Sequence, residues 1–342
     1  MTDIAKAVGV SQSTVSLVLN DAAGAKFSEA TRAKVHEAAH ALGYRLSGRA
    51  PATPAAARSS TRNMIVYLGD EISTSPHPVV NIDGARDAAW EHGYVLAVYS
   101  THGNAEIEAQ VLRSVLAMPN LLGVIYATVY TRKVNVPEAL HNVQTVLLNC
   151  YAEDRNFPSV VPGEIAGAHA ATRYLIGKGH RRIGFINGEP WMDASADRLK
   201  GYRQALAGAG IAFDAALVRN GDWLPLQGHR HALDLIAQTP RPTAIFCAND
   251  LMAMGALEAA AQQGLRVPQD ISIMGYDDQE LARYTNPPLS TLVLPNYEMG
   301  RRAVELLVEV ATRGARAPAA PVRVDGPLVE RGSVAAPGGV GR

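Results

Sequence analysis

The sequence has only two cysteines in 342 residues, Cys150 and Cys247, too few for the disulfide framework that holds small secreted domains together. Both sit in apolar stretches, where reduced thiols are expected. Aromatic residues are scarce at 6%. No apolar run reaches the roughly 18 residues of a membrane span, and the N-terminus lacks the charged-then-apolar layout of a secretory signal. The expectation is a soluble, cytoplasmic protein with no membrane partner. Net charge is missing too, with 32 Lys and Arg against 32 Asp and Glu. The balance hides an asymmetry: residues 1–62 carry eight basic and four acidic side chains, and the remainder 24 and 28. A small basic head on an acidic body is the layout expected when only the head meets a polyanion. Apolar residues, by contrast, make up 47% and charged residues 19%, enough to bury a large core and to exclude general disorder.

Catalytic signatures are also thin. No GxGxxG follows a strand and no P-loop lysine is present. Asp277 and Asp278 are adjacent at a strand end, so their side chains point apart, and no nucleophile accompanies them. No enzyme is expected, and no cofactor or metal is implied.

Along the chain, residues 1–45 read as short helices. Residues 46–63, LSGRAPATPAAARSSTRN, hold two Pro, five Ala, three Arg and three Ser and read as a linker that cannot bury enough surface to fold. From Met64, apolar runs at 64–69, 94–99, 122–127, 145–149, 182–187, 243–248 and 271–276 alternate with amphipathic stretches. Each run is nearly continuous, as expected of a parallel strand covered on both faces. Gly93, Gly179 and Gly264 stop the helices between them. The pattern predicts a small all-α head followed by two doubly wound α/β subdomains with a cleft between them. Residues 336–342 read as a disordered tail.

In the head, Ile4, Ala5 and Val8 form one apolar helical face, Gly9 permits a tight turn, and Ser11 is placed to cap a second helix. Val15, Val18 and Leu19 face inward, leaving Gln12, Ser13, Ser16, Leu17 and Asn20 outward, mostly short hydrogen-bonding groups suited to base edges in a major groove. A third helix spans Ser28 to Gly43 with Val35, Ala38, Ala39 and Leu42 as its buried stripe.

These residues carry a family resemblance. GVSQSTVSLVLN (9–20) and SEATRAKVHEAAHALGYR (28–45) resemble the helix-turn-helix headpiece of the LacI/GalR transcriptional regulators. GHRRIGFING (179–188), DRLKGYRQALAGAGI (197–211), TAIFCANDLMAMGAL (243–257), GLRVPQDISIMGYDD (264–278), PPLSTL (287–292), YEMGRRAVELL (297–307) and LVERGS (328–333) resemble that family's effector-binding core, in order. The resemblance implies a periplasmic-binding-protein-like core over 64–335, with one subdomain at about 64–162 and 292–322 and the other at about 163–291 and 323–335. It implies a repressor that binds a near-palindromic operator as a homodimer and is released by a sugar or sugar-like effector. A nucleobase or nucleoside ligand, or a corepressor, is the alternative. DNA contacts fall on Ser11, Gln12, Ser13, Ser16, Leu17 and Asn20, with Ser28, Thr31 and Arg32 on phosphate. The family's Ala-Arg-x-Leu hinge motif is replaced by GRAPA, with Pro51 in place of the Arg and no Leu, so leucine insertion into the minor groove does not transfer.

For the cleft, a polyhydroxylated ligand needs acceptors, forked donors and a flat apolar face. By resemblance the forked donor is Arg198, the polar contacts are Asn249 and Asp277, and the stacking aromatic is Trp223. Asn149 matches a position often Asp, and Asn296 one often aromatic. Asp70, Tyr126 and Thr128 are placed by strand ends alone, where open α/β sheets bind ligands. Asp250 reads as the cap of the helix that follows, not as a ligand, and Asp278 as a cap or a local pair.

One test follows from the head. Gln12→Ala should weaken operator binding and relax preference at one base step, at about 1–3 kcal/mol for a lost bidentate contact. Random-site selection that returns an unchanged preferred sequence would refute the assignment.

Overall fold

A computed structural model describes residues 5, 7–11, 14, 15, 18, 27–41, 63–153, 156–313 and 320–338. Gln12, Ser13, Ser16, Leu17, Asn20, the linker positions 46–62 and the last four tail residues lie outside the described residues. The chain divides into two units, Met1–Arg58 and Ser59–Arg342.

In the head, hydroxyl caps set the helix starts. The Thr14 N–H donates to Ser11 Oγ at 3.0 Å, and the Thr31 N–H donates to Ser28 Oγ at 3.1 Å. Ser28 thereby opens α1 (Glu29–Ala41). Gly9, at φ +72°, closes the first helical turn, its N–H donating to the Ala5 carbonyl. Ala5, Val15, Val18, Val35 and Ala39 form the buried core of this unit.

The larger unit contains two parallel sheets. In the first lobe, β1 (Met64–Gly69), β2 (Val95–Ser100), β3 (Leu121–Lys133), β4 (Thr145–Tyr151), β5 (Ser159–Pro162) and β11 (Val322–Val324) form one sheet in the order β11-β5-β4-β3-β1-β2. In the second lobe, β6 (Ile183–Asn187), β7 (Val218–Asn220), β8 (Ala244–Cys247) and β9 (Ser272–Met274) run β7-β6-β8-β9. β10 (Thr291–Leu292) and β12 (Leu328–Val329) make a short antiparallel pair. Because side chains alternate along a strand, β1 sends Ile65 and Tyr67 to one face and Val66 and Leu68 to the other. The first pair joins a cluster with α2 (His77–Glu91) and α8 (Asn296–Arg313), the second a cluster with α3 (Ala105–Leu116). The near-continuous apolar run is the signature of this two-sided burial. A β-carbon at Gly84 would fall on the carbonyl of Tyr297, and one at Gly300 on that of Asn81, so α2 and α8 meet backbone to backbone.

The second lobe packs α4 (Glu164–Gly177) with α5 (Asp193–Gly208) and α6 (Pro225–Ile236) with α7 (Asp250–Gln262). Phe185 stacks on Phe246 and Tyr202 at 4.9 and 5.0 Å in its core. The chain passes between lobes after Pro162, between Leu292 and Asn296, and between Val324 and Leu328; β11 pairs with β5, which carries the first-lobe sheet to Val324. Of the stretch read as a tail, Pro337 lies where a β-carbon at Gly179 would meet it. The short strands β5, β7, β10, β11 and β12 escape the periodicity reading because two to four residues carry no period. β3 runs six residues beyond its expected end, through a register shift between Ala127 and Arg132.

Candidate functional site

The first turns and strand ends of the two lobes enclose a cavity of about 300 Å³. Asn149, Arg198, Trp223, Asn249 and Asp277 line it. Asp70, Tyr126 and Thr128 do not. The Asp70 carboxylate accepts the Val129 N–H at 2.9 Å and Arg132 Nη2 at 2.8 Å, which holds the bend in β3. The Tyr126 hydroxyl donates to Glu108 at 2.8 Å, and the Thr128 hydroxyl to the carbonyls of Tyr130 and Asn149. A strand end marks a region, and these three side chains are consumed by the strand's own geometry.

At the floor sits a buried ion pair. Arg198 Nε and Nη2 donate to Glu164 at 2.6 and 2.9 Å, and Nη1 donates to the Ala248 carbonyl. The guanidinium lies over the Tyr276 ring at 3.8 Å, and Nη1 is 3.8 Å from Asp277 Oδ1. Burial alone would lower its pKa, but Glu164 and Asp277 hold it raised. Three of five guanidinium N–H groups are thus engaged within the protein, and two are left for a ligand. Glu164 is missed by sequence reasoning. Its one signal is an acid in the first turn of the helix that begins just after a lobe crossing.

Three lining residues hold left-handed backbone without being glycine: Asn149 at φ +59°, Trp223 at +67° and Asp277 at +109°. Such strain persists only where surroundings over-determine it, and it clusters at binding sites. Asn149 is fixed by Nδ2 donating to the Thr128 carbonyl and by the Thr131 hydroxyl donating to Oδ1 at 2.6 Å. The Trp223 indole N–H points to Met192 sulfur at 2.9 Å, and its six-membered ring covers Gly188, where any β-carbon would collide. Asn249 is the true cap of α7, accepting the Met252 N–H at 2.8 Å, while its Nδ2 donates to the Trp223 carbonyl. This corrects the cap assignment of Asp250, which is the first helical residue.

Asp250 is fully buried. It accepts the Thr291 hydroxyl at 2.6 Å and the Gln279 N–H at 2.8 Å. Burial first, and the neighbouring Asp277 second, push its pKa up to about 8. Through these two bonds it ties α7 to the loop carrying Asp277. Asp278 pairs with Arg331 at 2.6 Å.

The lobes also touch directly. His77 Nε2, at the start of α2, lies 3.6 Å from Asp277 Oδ2, and Asn296 Nδ2 is 3.0 Å from His77 Nδ1. The Tyr151 hydroxyl donates to Asp193 at 2.7 Å, and Tyr130 meets Trp191 edge-on at 5.5 Å. A ligand held in this cavity contacts both lobes and therefore favours one lobe angle over another.

In the head, Ser11 and Ser28 are helix caps, and the Ser28 and Thr31 hydroxyls share a 2.8 Å hydrogen bond. The string His36-Glu37-Ala38-Ala39-His40 has the HExxH form of some zinc sites. It lies on α1, where His36 and Glu37 are exposed on the side away from Val35 and Ala39, and no group of three potential ligands gathers among the described residues.

A helical head followed in the chain by a unit with a two-lobed cleft fits a ligand-responsive DNA-binding regulator. Residues 1–47 match the pattern of bacterial regulatory proteins of the lacI family, and residues 172–334 that of a periplasmic binding protein-like domain. The ribose operon repressor of Haemophilus influenzae is 35% identical over 313 residues, 90% of this chain and 91% of that one. The HTH-type transcriptional repressor PurR of Edwardsiella ictaluri is 34% identical over 341 residues, 97% of this chain and 96% of that one. Among solved structures, the complex of the transcriptional regulator CelR with cellobiose matches with a TM-score of 0.66 and 29% identity over 97% of this chain and 98% of that one. The Escherichia coli transcriptional repressor ascG matches with 0.65 and 27% over 80% and 100%. The chain belongs to the lacI family and is a ligand-responsive transcriptional repressor.

Asp250 sets a pH test. A folded-state pKa above the unfolded value means the native state holds the extra proton, so this group's contribution is complete in acid and lost as pH rises through about 8. In Asp250→Asn the amide oxygen can still accept the Gln279 N–H, and the side chain has no proton to lose. Between about pH 6 and 9 the parent's melting temperature should fall relative to the variant's by several degrees, at about 2–4 °C per kcal/mol. Parallel curves would show that Asp250 is already ionised at neutral pH.

Proposed function

We propose that the protein is a cytoplasmic homodimeric repressor released from a near-palindromic operator when a sugar or sugar-like polyol occupies the cleft. The observation that carries the ligand class is the mixture in one cavity of forked donors (Arg198), acceptors (Asp277), neutral amides (Asn149, Asn249) and one indole (Trp223). Ring hydroxyls need both senses of hydrogen bond, and a sugar's apolar face needs a flat partner. The ribose operon repressor and the CelR–cellobiose complex among the relatives support the same class. Asn296 stands where the family resemblance puts an aromatic, which removes a second stacking wall for a nucleobase.

For DNA, Gln12, Ser13, Ser16, Leu17 and Asn20 are the base-reading set, and Ser11, Ser28, Thr31 and Arg32 the backbone set. One head offers one reading helix, so a symmetric operator calls for two chains related by a two-fold axis. The apolar side chains left exposed on the first lobe fit that pairing: Val95 and Val98 on the edge strand β2 are 53% and 40% exposed, with Val79, Val80 and Ile107 exposed on α2 and α3. Exposed apolar groups at a sheet edge mark association surfaces.

A melting-temperature screen of ribose, glucose, cellobiose, hypoxanthine and adenosine, followed by operator-binding anisotropy with each hit, tests the reading. A sugar should raise the melting temperature and lower operator affinity, and light scattering should give twice the chain mass. Stabilisation by the nucleobase alone, or tighter operator binding with a sugar, would contradict it.

A further inference from the structure

The deep cavity is not the whole of the cleft. A second compartment of about 530 Å³ adjoins it, and the two share Thr131, Pro162, Glu164 and Ala194 in their walls. Both lobes build it: Tyr151 comes from β4 of the first lobe, Asp193 and Asp197 from α5 of the second, and Arg323 from β11. Tyr151 and Asp193 are hydrogen-bonded to each other across the lobes, whereas Asp197 and Arg323 are not explained by the binding of one ring at Arg198.

Asp197 and Arg323 are of opposite charge, lie on opposite lobes and both line the compartment. Neither has a hydrogen-bond or ion-pair partner among the described residues, although they sense each other: burial raises the Asp197 pKa, and Arg323 opposes that rise. An acceptor and a forked donor that face a shared space without closing on each other fit the hydroxyls of a sugar ring. The charge around them argues against an anion. Of the acids in the wall, Glu164 is neutralised by Arg198 and Glu153 by Lys133, which leaves Asp193 and Asp197 against Arg323.

We propose that this compartment is a second subsite, holding the second ring of an uncharged disaccharide or glycoside whose first ring lies in the Arg198 cavity. The proposal rests on the sugar reading above. Asp197 and Arg323 would bracket that second ring, one from each lobe, so a two-ring ligand would tie the lobes at a point remote from the first cavity. Ligand clefts of about 300–1,000 Å³ enclose most of their ligand's surface, and the second compartment is the larger of the two.

Calorimetric titration of the full chain with ribose, glucose, cellobiose, maltose and glucose 6-phosphate tests this. A disaccharide should bind at least about tenfold more tightly than glucose, a difference of about 1.4 kcal/mol. In Asp197→Ala and in Arg323→Ala that advantage should vanish, while glucose or ribose affinity stays within about twofold. Equal binding of glucose and its disaccharides, an equal loss for both in the variants, or a preference for glucose 6-phosphate would overturn the second subsite and leave the sugar reading standing. Binding of none of these sugars by a chain that binds adenosine would overturn both.

Discussion

The site depends on one buried ion pair, Arg198 with Glu164. Taking two charges out of water is costly, and the attraction repays the cost only when geometry is good and the remaining polar atoms are matched. The geometry is good: the guanidinium forks onto the carboxylate, a carbonyl takes a third N–H, and the Tyr276 ring covers the face, with two N–H groups unmatched within the protein. Removing one partner would strand the other, at a cost of about 3–5 kcal/mol. The pair fixes the guanidinium before any ligand arrives, so little freedom is lost on binding. It also joins the first turn of α4, just past a lobe crossing, to α5.

Around that centre the other groups are held by neutral means. Burial first, and the neighbouring Asp277 second, push the Asp250 carboxyl well above the usual carboxylate range. Asp277, itself raised by burial, stands 3.8 Å from the Arg198 guanidinium that Glu164 already holds. Asn149, Trp223 and Asp277 sit in left-handed backbone that their neighbours enforce, so their side chains are aimed by the fold and not chosen by the ligand.

How far the sequence discloses this differs from level to level. Six of the seven apolar runs announce buried parallel strands because burial on both faces removes the alternation that a half-exposed strand would show. The run at 94–99 becomes the edge strand β2, whose residues are not buried. The head was legible from Gly9, Ser11 and the valine stripe, since turn, cap and core each have their own residue signature. In the cleft, Arg198, Trp223, Asn249 and Asp277 were reached through motif resemblance. Asp70, Tyr126 and Thr128, argued only from strand ends, prove to brace β3 and its neighbours. Glu164 and His77 were invisible because their roles depend on contacts between segments distant in sequence, such as the pair of His77 with Asp277. Asp250 was misread for a subtler reason. Asn249 and Asp250 are both good caps, and only the backbone geometry decides which one stands outside the helix.

Ligand response belongs to the Arg198–Glu164 centre and the lobe angle it serves, separate from the head that reads DNA. A ligand shifts operator affinity only by its differential affinity for the two lobe arrangements, typically about 5–150-fold. The most direct measurement is operator-binding anisotropy with and without the tightest-binding sugar, on the parent and on the double variant Glu164→Gln/Arg198→Met. The double variant removes both charges together and avoids a stranded ion. The predicted result is a coupling of about 5–150-fold in the parent and none in the variant, with ligand-free operator affinity unchanged within about twofold. Full coupling in the variant, or loss of ligand-free operator binding in a folded protein, would contradict the account.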